Sequence, residues 1–157
     1  MSCASAVDHL SALVAGGLPP GLGDATIVVG HPGVLDDYAF GLSLYTLLIR
    51  EDASWRPPQR TTAIETLVEA DVLVAVHAPP ERGFDAIRLL EHACDVIRRH
   101  PRLDALASAA TATVLLRPTS IDELTRLWQA LATPLQPAVI CSLRVVSTRT
   151  DDRPVAD

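Results

Sequence analysis

Apolar residues recur along the chain at two spacings, one helical and one alternating, and the switches between them mark the elements. Ser5 and Asp8 open a segment in which Val7, Leu10 and Val14 recur at helical spacing before Gly16-Gly17. A polar start, an apolar stripe and a glycine stop predict a short amphipathic helix. Leu18 to Asp24 holds two prolines and two glycines, which break the chain and leave Ala25 to Val29 to begin a strand, with a turn expected at His31-Pro32-Gly33. From Tyr38 to Arg50, Phe40, Leu42 and Leu44 alternate before the continuous run Leu47-Leu48-Ile49, which reads as a strand. Glu51 to Arg60, carrying Trp55 and Pro57-Pro58, is expected to be a polar surface loop with room for a partner contact. Leu67 to Val76 reads as a second long strand, with Val72, Val74 and Val76 on one face and Asp71, Leu73 and Ala75 on the other.

Helical spacing returns between Pro80 and His100, where Phe84, Ile87, Leu90, Cys94 and Ile97 form a stripe and most charges fall on other faces. This predicts the chain's clearest helix. Thr111 to Arg117 has strand character before Pro118. Ser120-Ile121-Asp122-Glu123 has the form of a capping box, in which the serine hydroxyl and the glutamate each satisfy a free amide. Ile121, Leu124, Trp128 and Leu131 then continue as one apolar stripe up to Pro134, with Trp128 expected in the core. Val139, Cys141, Leu143 and Val145 alternate with Ile140, Ser142, Arg144 and Val146, the signature of a closing strand. Successive strands lack a helix long enough for a crossover, so the expected fold is α+β: a mainly antiparallel sheet of about four strands with three or so helices on one face. A single domain is expected over 1–147, followed by a flexible tail over 148–157.

The chain has 157 residues, 48% of them hydrophobic, a length and composition that support one real core. Its net charge of −6 argues against a nucleic-acid partner, since a phosphate backbone is held by neutralising it. The longest charge-free runs, Ala39 to Ile49 and Ala105 to Leu116, fall short of the roughly 18 apolar residues that span a bilayer. No secretory leader is read, and three cysteines do not make a fully paired disulfide framework, so a reducing compartment is expected. All 13 basic residues are arginine. Without lysine a Walker phosphate loop is excluded, and Gly21, Gly23, Gly30 and Gly33 read as turn glycines. His92 and Cys94, two apart on a helix, do not face a common ligand. Cys94 and Cys141 read as small buried hydrophobes and Cys3 as part of a mobile terminus. His31 with Asp36 and Asp37, and His77 near Glu81, are chance pairings of the kind any such chain contains. No catalytic, cofactor-binding or metal-binding residue is assigned.

The strongest signal lies in the C-terminal third: Ile121-x-x-Leu124-x-x-Leu127-Trp128-x-x-Leu131, then Pro134, Pro137-Ala138-Val139, and the alternating strand into Arg144-Val145-Val146. This ending resembles that of the N-terminal domain of contractile-injection-system cap proteins of the Photorhabdus virulence cassette and antifeeding prophage type. Weaker similarity continues upstream through Leu10, Leu13 and Leu18-Pro19, through Leu42-x-Leu44-Tyr45, and through Asp71 to Val76. The chain departs from the family pattern at Cys141, commonly a tyrosine, at Ala138, commonly a serine, and at Glu51-Asp52-Ala53, usually an asparagine-containing loop. The resemblance implies a tail terminator, assembled as a homo-hexameric ring that halts the inner tube and anchors the last sheath ring. It also implies tube and sheath partners, no cofactor, and assembly in the bacterial cytoplasm as part of a phage-tail-like particle. Trp55, Arg56, Arg144 and Arg149 are the expected interface residues. A baseplate or tube adaptor of the same particle, or a small α+β enzyme, are the alternatives.

Overall fold

A single mixed sheet organises the chain. The computed structural model describes residues 2–37, 40–52, 64–104 and 111–149. Its elements are α1 (Cys3–Gly16), β1 (Thr26–Val29), β2 (Gly41–Glu51), β3 (Ile64–His77), α2 (Gly83–Arg99), β4 (Arg102–Asp104), β5 (Thr111–Arg117), α3 (Ile121–Ala130) and β6 (Ala138–Arg149), with 3₁₀ turns at Pro32–Asp37 and Pro80–Arg82. The strand order is β1-β2-β3-β6-β5-β4. Only β1 and β2 pair in parallel; every other neighbour is antiparallel. The class is therefore α+β as expected, with six strands where about four were expected. The edge strand β1, four residues long, falls where a strand is expected at Ala25 to Val29, and the opposite edge β4, three residues long, is too short to display a period.

The helices lie on both faces, which corrects the expectation of one. α1 and α2 cover the inner face, where Val7, Leu10, Leu89 and Ile97 pack with Leu42, Leu44, Val72, Val74, Leu143 and Val145 in the main cluster. On the outer face α3 sets Trp128 against Leu73, Ala75 and Ile140, flanked by Leu124, Leu127 and Leu131. The even positions of β3 are apolar from Val68 to Val76, whereas on the odd positions the apolar pair Leu73 and Ala75 gives way to Asp71 and Glu69. A ten-residue helix is enough to cover that short outer patch.

α2 turns a different stripe to the sheet from the one its large side chains suggest. Ala86, Leu89, Ala93, Val96 and Ile97 are buried, while Phe84 is 75% and Ile87 51% exposed. Small residues at Ala86 and Ala93 let the helix approach the strands closely, and a count weighted to large apolar residues misses them. α1 starts before Ser5, because Ser2 and Ser5 cap each other: the Ser2 hydroxyl accepts from the Ser5 amide at 3.1 Å and the Ser5 hydroxyl from the Ser2 amide at 3.0 Å. Cys3 is consequently buried within the first turn, not part of a mobile terminus. At α3 only half the expected box forms. The Ser120 hydroxyl accepts from the Glu123 amide at 3.2 Å, but the Glu123 carboxylate pairs with Arg117 at the end of β5.

β6 extends through Thr148 and Arg149, which pair with Glu65 and Ile64, so these two residues belong to the sheet and not to the tail. Cys94 and Cys141 are buried as expected, and burial pushes the Cys141 thiol up to about 12.

Candidate assembly surface

Of the expected interface residues, Trp55 and Arg56 lie outside the described residues, and so does most of the Glu51 to Arg60 loop. Arg149 ends β6, opposite Ile64. Arg144 is not a free cation: it forms an ion pair with Glu69, Nε to Oε1 2.7 Å, with the side chain still 57% exposed. Glu69 also accepts from Arg50 Nε at 3.0 Å. One carboxylate thus bridges guanidinium groups on the strands either side of it. Arg50 reaches further to Asp71 Oδ2 at 3.5 Å, and the Ser142 hydroxyl donates to Asp71 Oδ1 at 2.7 Å. Asp71, buried in the sheet, has both carboxylate oxygens occupied, as an uncompensated buried charge would be costly. The Arg50 guanidinium is held more firmly protonated by its hydrogen bond to Glu69 first and by the field of Asp71 next.

This network lies on the outer face beyond the reach of α3. Its edges carry Leu48, 49% exposed, and Leu115, 54% exposed. A shallow groove of about 240 Å³ runs over β5 and β6 between Thr113, Leu115, Arg117, Pro118, Ser142 and Arg144. On the inner side, a larger groove of about 410 Å³ follows α2, lined by Ile87, Leu90, Cys94 and Val139 with Glu91, Asp95 and Arg98 at its rim. The molecule therefore presents two unlike surfaces on opposite layers of one sheet.

Several other described polar side chains serve the fold. Arg82 joins three segments: its guanidinium meets Asp24 and Asp85, the latter at 3.0 Å, and lies 3.9 Å from the centre of the Phe40 ring. The hydrogen bond from Arg82 holds the Asp24 carboxyl below its usual range. His92, buried, places Nε2 3.0 Å from the Val14 carbonyl in the last turn of α1. His31 accepts the Gly33 amide at 3.1 Å and stands edge-on to Tyr45; the Asp36 and Asp37 side chains lie outside the described residues. His77 Nδ1 meets Gln136 Nε2 at 3.1 Å. Among the described residues no group of three or more His, Cys, Asp or Glu side chains is arranged to hold a metal ion. No helix among them is long and apolar enough to cross a membrane.

Sequence reasoning missed Arg50, Leu48, Leu115, Phe84 and Ile87 as surface features. Alternation within β2, β5 and β6 is visible in the chain, but which arginine faces which carboxylate depends on register, and register appears only once the strands are paired.

An α+β domain with one curled sheet, helices on both faces and an exposed polar ladder is the framework to be matched. The chain belongs to the Pvc16 N-terminal domain family, whose model matches residues 7–156. Among solved structures it is similar to the PVC sheath/tube terminator, in the extended state, of an extracellular contractile injection system, with a TM-score of 0.73 and 17% identity. That match covers 100% of this chain and 61% of the other. It is also similar to the anti-feeding prophage cap, a tube terminating cap, with a TM-score of 0.72 and 14% identity over 97% of this chain and 57% of that one. The chain thus spans about three-fifths of the length of the solved relatives. Comparison with curated proteins finds no match.

Proposed function

We propose that this chain is the tube-terminating domain of a contractile injection particle, a structural cap with no catalytic role. One observation carries the reading: a family match over nearly the whole chain coincides with a fold that this chain shares, over 97–100% of its own length, with part of two proteins described as a tube terminator and a tube terminating cap. In this reading the domain assembles as a homo-hexameric ring, stops the inner tube and anchors the last sheath ring. Assembly takes place in the bacterial cytoplasm without nucleic acid.

The physical features agree with a ring subunit. A closed ring is built from heterologous contacts, in which one surface of a subunit meets a different surface of the next. The two unlike surfaces of this domain supply that asymmetry, and the exposed Phe84 and Ile87 are apolar anchors of the kind interfaces use. Arg144, and with it Arg149, Trp55 and Arg56, belong to the proposed contacts with ring, tube or sheath.

The test is to assemble particles without this protein. Tails of uncontrolled length are expected, and restoring the gene should return them to one length. Tails of normal, uniform length in its absence would overturn the reading.

A further inference from the structure

The register places a single row of side chains across five strands. Arg50 stands opposite Glu69, Glu69 opposite Arg144, Arg144 opposite Thr113, and Thr113 opposite Arg102. Directly opposed residues project from the same face, and strands lie about 4.8 Å apart, so the row is about 19 Å long. The burial of Leu103, Ala112, Leu143 and Ala70 on the inner side sets the row on the outer one. It holds three arginines and one carboxylate in a chain that is acidic overall. Arg102 is exposed and has no carboxylate partner among the described residues. Arg144 pairs with Glu69 through Nε and leaves more than half of its side chain exposed.

The neighbouring row carries Leu48 and Leu115 at its two ends, both about half exposed, with Asp71 and Ser142 closed on each other between them. The groove over β5 and β6 lies where the rows meet, and Arg117 at its wall has a buried Nε with no hydrogen-bond partner. Donors in excess, aliphatic side chains beside them and a shallow channel between strands define what fits: carboxylates that alternate with aliphatic groups.

We infer that the outer face of β4, β5 and β6 is a docking surface for an acidic, extended segment of a partner protein, its carboxylates on Arg102 and Arg144 and its aliphatic side chains against Leu115. This deepens the tube-end reading by naming the chemistry of the partner at Arg144, and it rests on that reading only for the place of Arg144 in a contact. Charge complementarity selects the occupant, since opposed potentials across an interface favour the matching partner and reject the like-charged one.

The probe is a capped pentapeptide, Glu-Leu-Glu-Leu-Glu, titrated into the isotope-labelled full chain at low salt and followed by amide chemical shifts, with Gln-Leu-Gln-Leu-Gln as the neutral control. At about 1 mM peptide the acidic probe is expected to shift Thr113, Leu115, Ser142 and Arg144, and the neutral one to leave them in place. The Arg102→Gln/Arg144→Gln variant should bind about tenfold more weakly, while Arg98→Gln, on the opposite layer, should bind like the parent. Raising salt to about 1 M should abolish the shifts. Equal binding of both peptides, shifts centred on another face, no shifts at all, or an unaffected double variant would each overturn the proposal. A melting curve of the double variant that matches the parent separates lost docking from lost fold. The tail-length experiment judges the cap reading separately.

Discussion

Trp128 is the one large side chain of α3 that is fully buried, and α3 reaches the sheet chiefly through it. Trp128→Ala removes on the order of 200 Å² of buried surface, or about 5 kcal/mol at about 25 cal/mol per Å². Measured losses for such truncations lie at about 3–5 kcal/mol. Trp128→Phe separates packing from polarity. The indole Nε1 is buried with no hydrogen-bond partner, and an orphaned buried donor costs about 1–3 kcal/mol. Phenylalanine removes that donor and gives up roughly 50 Å² of contact, or about 1 kcal/mol. The two changes offset, so Trp128→Phe is expected within about 1 kcal/mol of the parent. Urea unfolding followed by circular dichroism gives both values, and hydrogen exchange should show α3 amides losing protection first in Trp128→Ala. A loss below about 1 kcal/mol for Trp128→Ala, or equal losses for the two variants, would refute the placing of α3 by this side chain.

Other outcomes follow from single groups. Asp24 titrates lower in the folded state because Arg82 holds it ionised; its contribution to stability is present above the unfolded pKa of about 3.9 and fades as pH falls through the lower folded value. The stability gap between parent and Asp24→Asn should therefore close in acid, and a gap independent of pH would contradict the pairing. Ala132 holds φ +51° just past α3, a region that glycine enters without penalty, so Ala132→Gly should raise stability by about 0.5–1 kcal/mol in urea titration. With its thiol pushed up to about 12, Cys141 stays protonated and enclosed. It should react with a thiol reagent at pH 8 only as fast as the fold opens, and rapid native-state labelling would contradict its burial.

Much of this fold is legible along the chain where one face of an element is uniformly apolar. β6 declares itself by Val139, Cys141, Leu143 and Val145, and α3 by Leu124, Trp128 and Leu131, because burial on one side enforces the period. α2 is legible as a helix but not in its orientation. Its alanines contact the sheet while Phe84 and Ile87 face outward, and a helix with two apolar stripes does not say which one is core. β1 is marked by the prolines and glycines before it and not by a period, and β4, three residues long, is too short to carry one. The assembly surface was legible only in part: Arg144 was found as an outward residue of the last strand, but its Glu69 partner lies 75 positions upstream on β3. Arg102 lies close to Arg98 and Arg99 in the chain, yet it begins β4 and faces the same side as Arg144, which only the strand pairing reveals.

The most direct measurement of the central claim is electron cryo-microscopy of intact particles, with averages computed separately for the two tail ends. Six copies of this domain are expected to close the tube at the end away from the baseplate, contacting both tube and last sheath ring. Density for the domain at the baseplate, along the tube, or at neither end would contradict it.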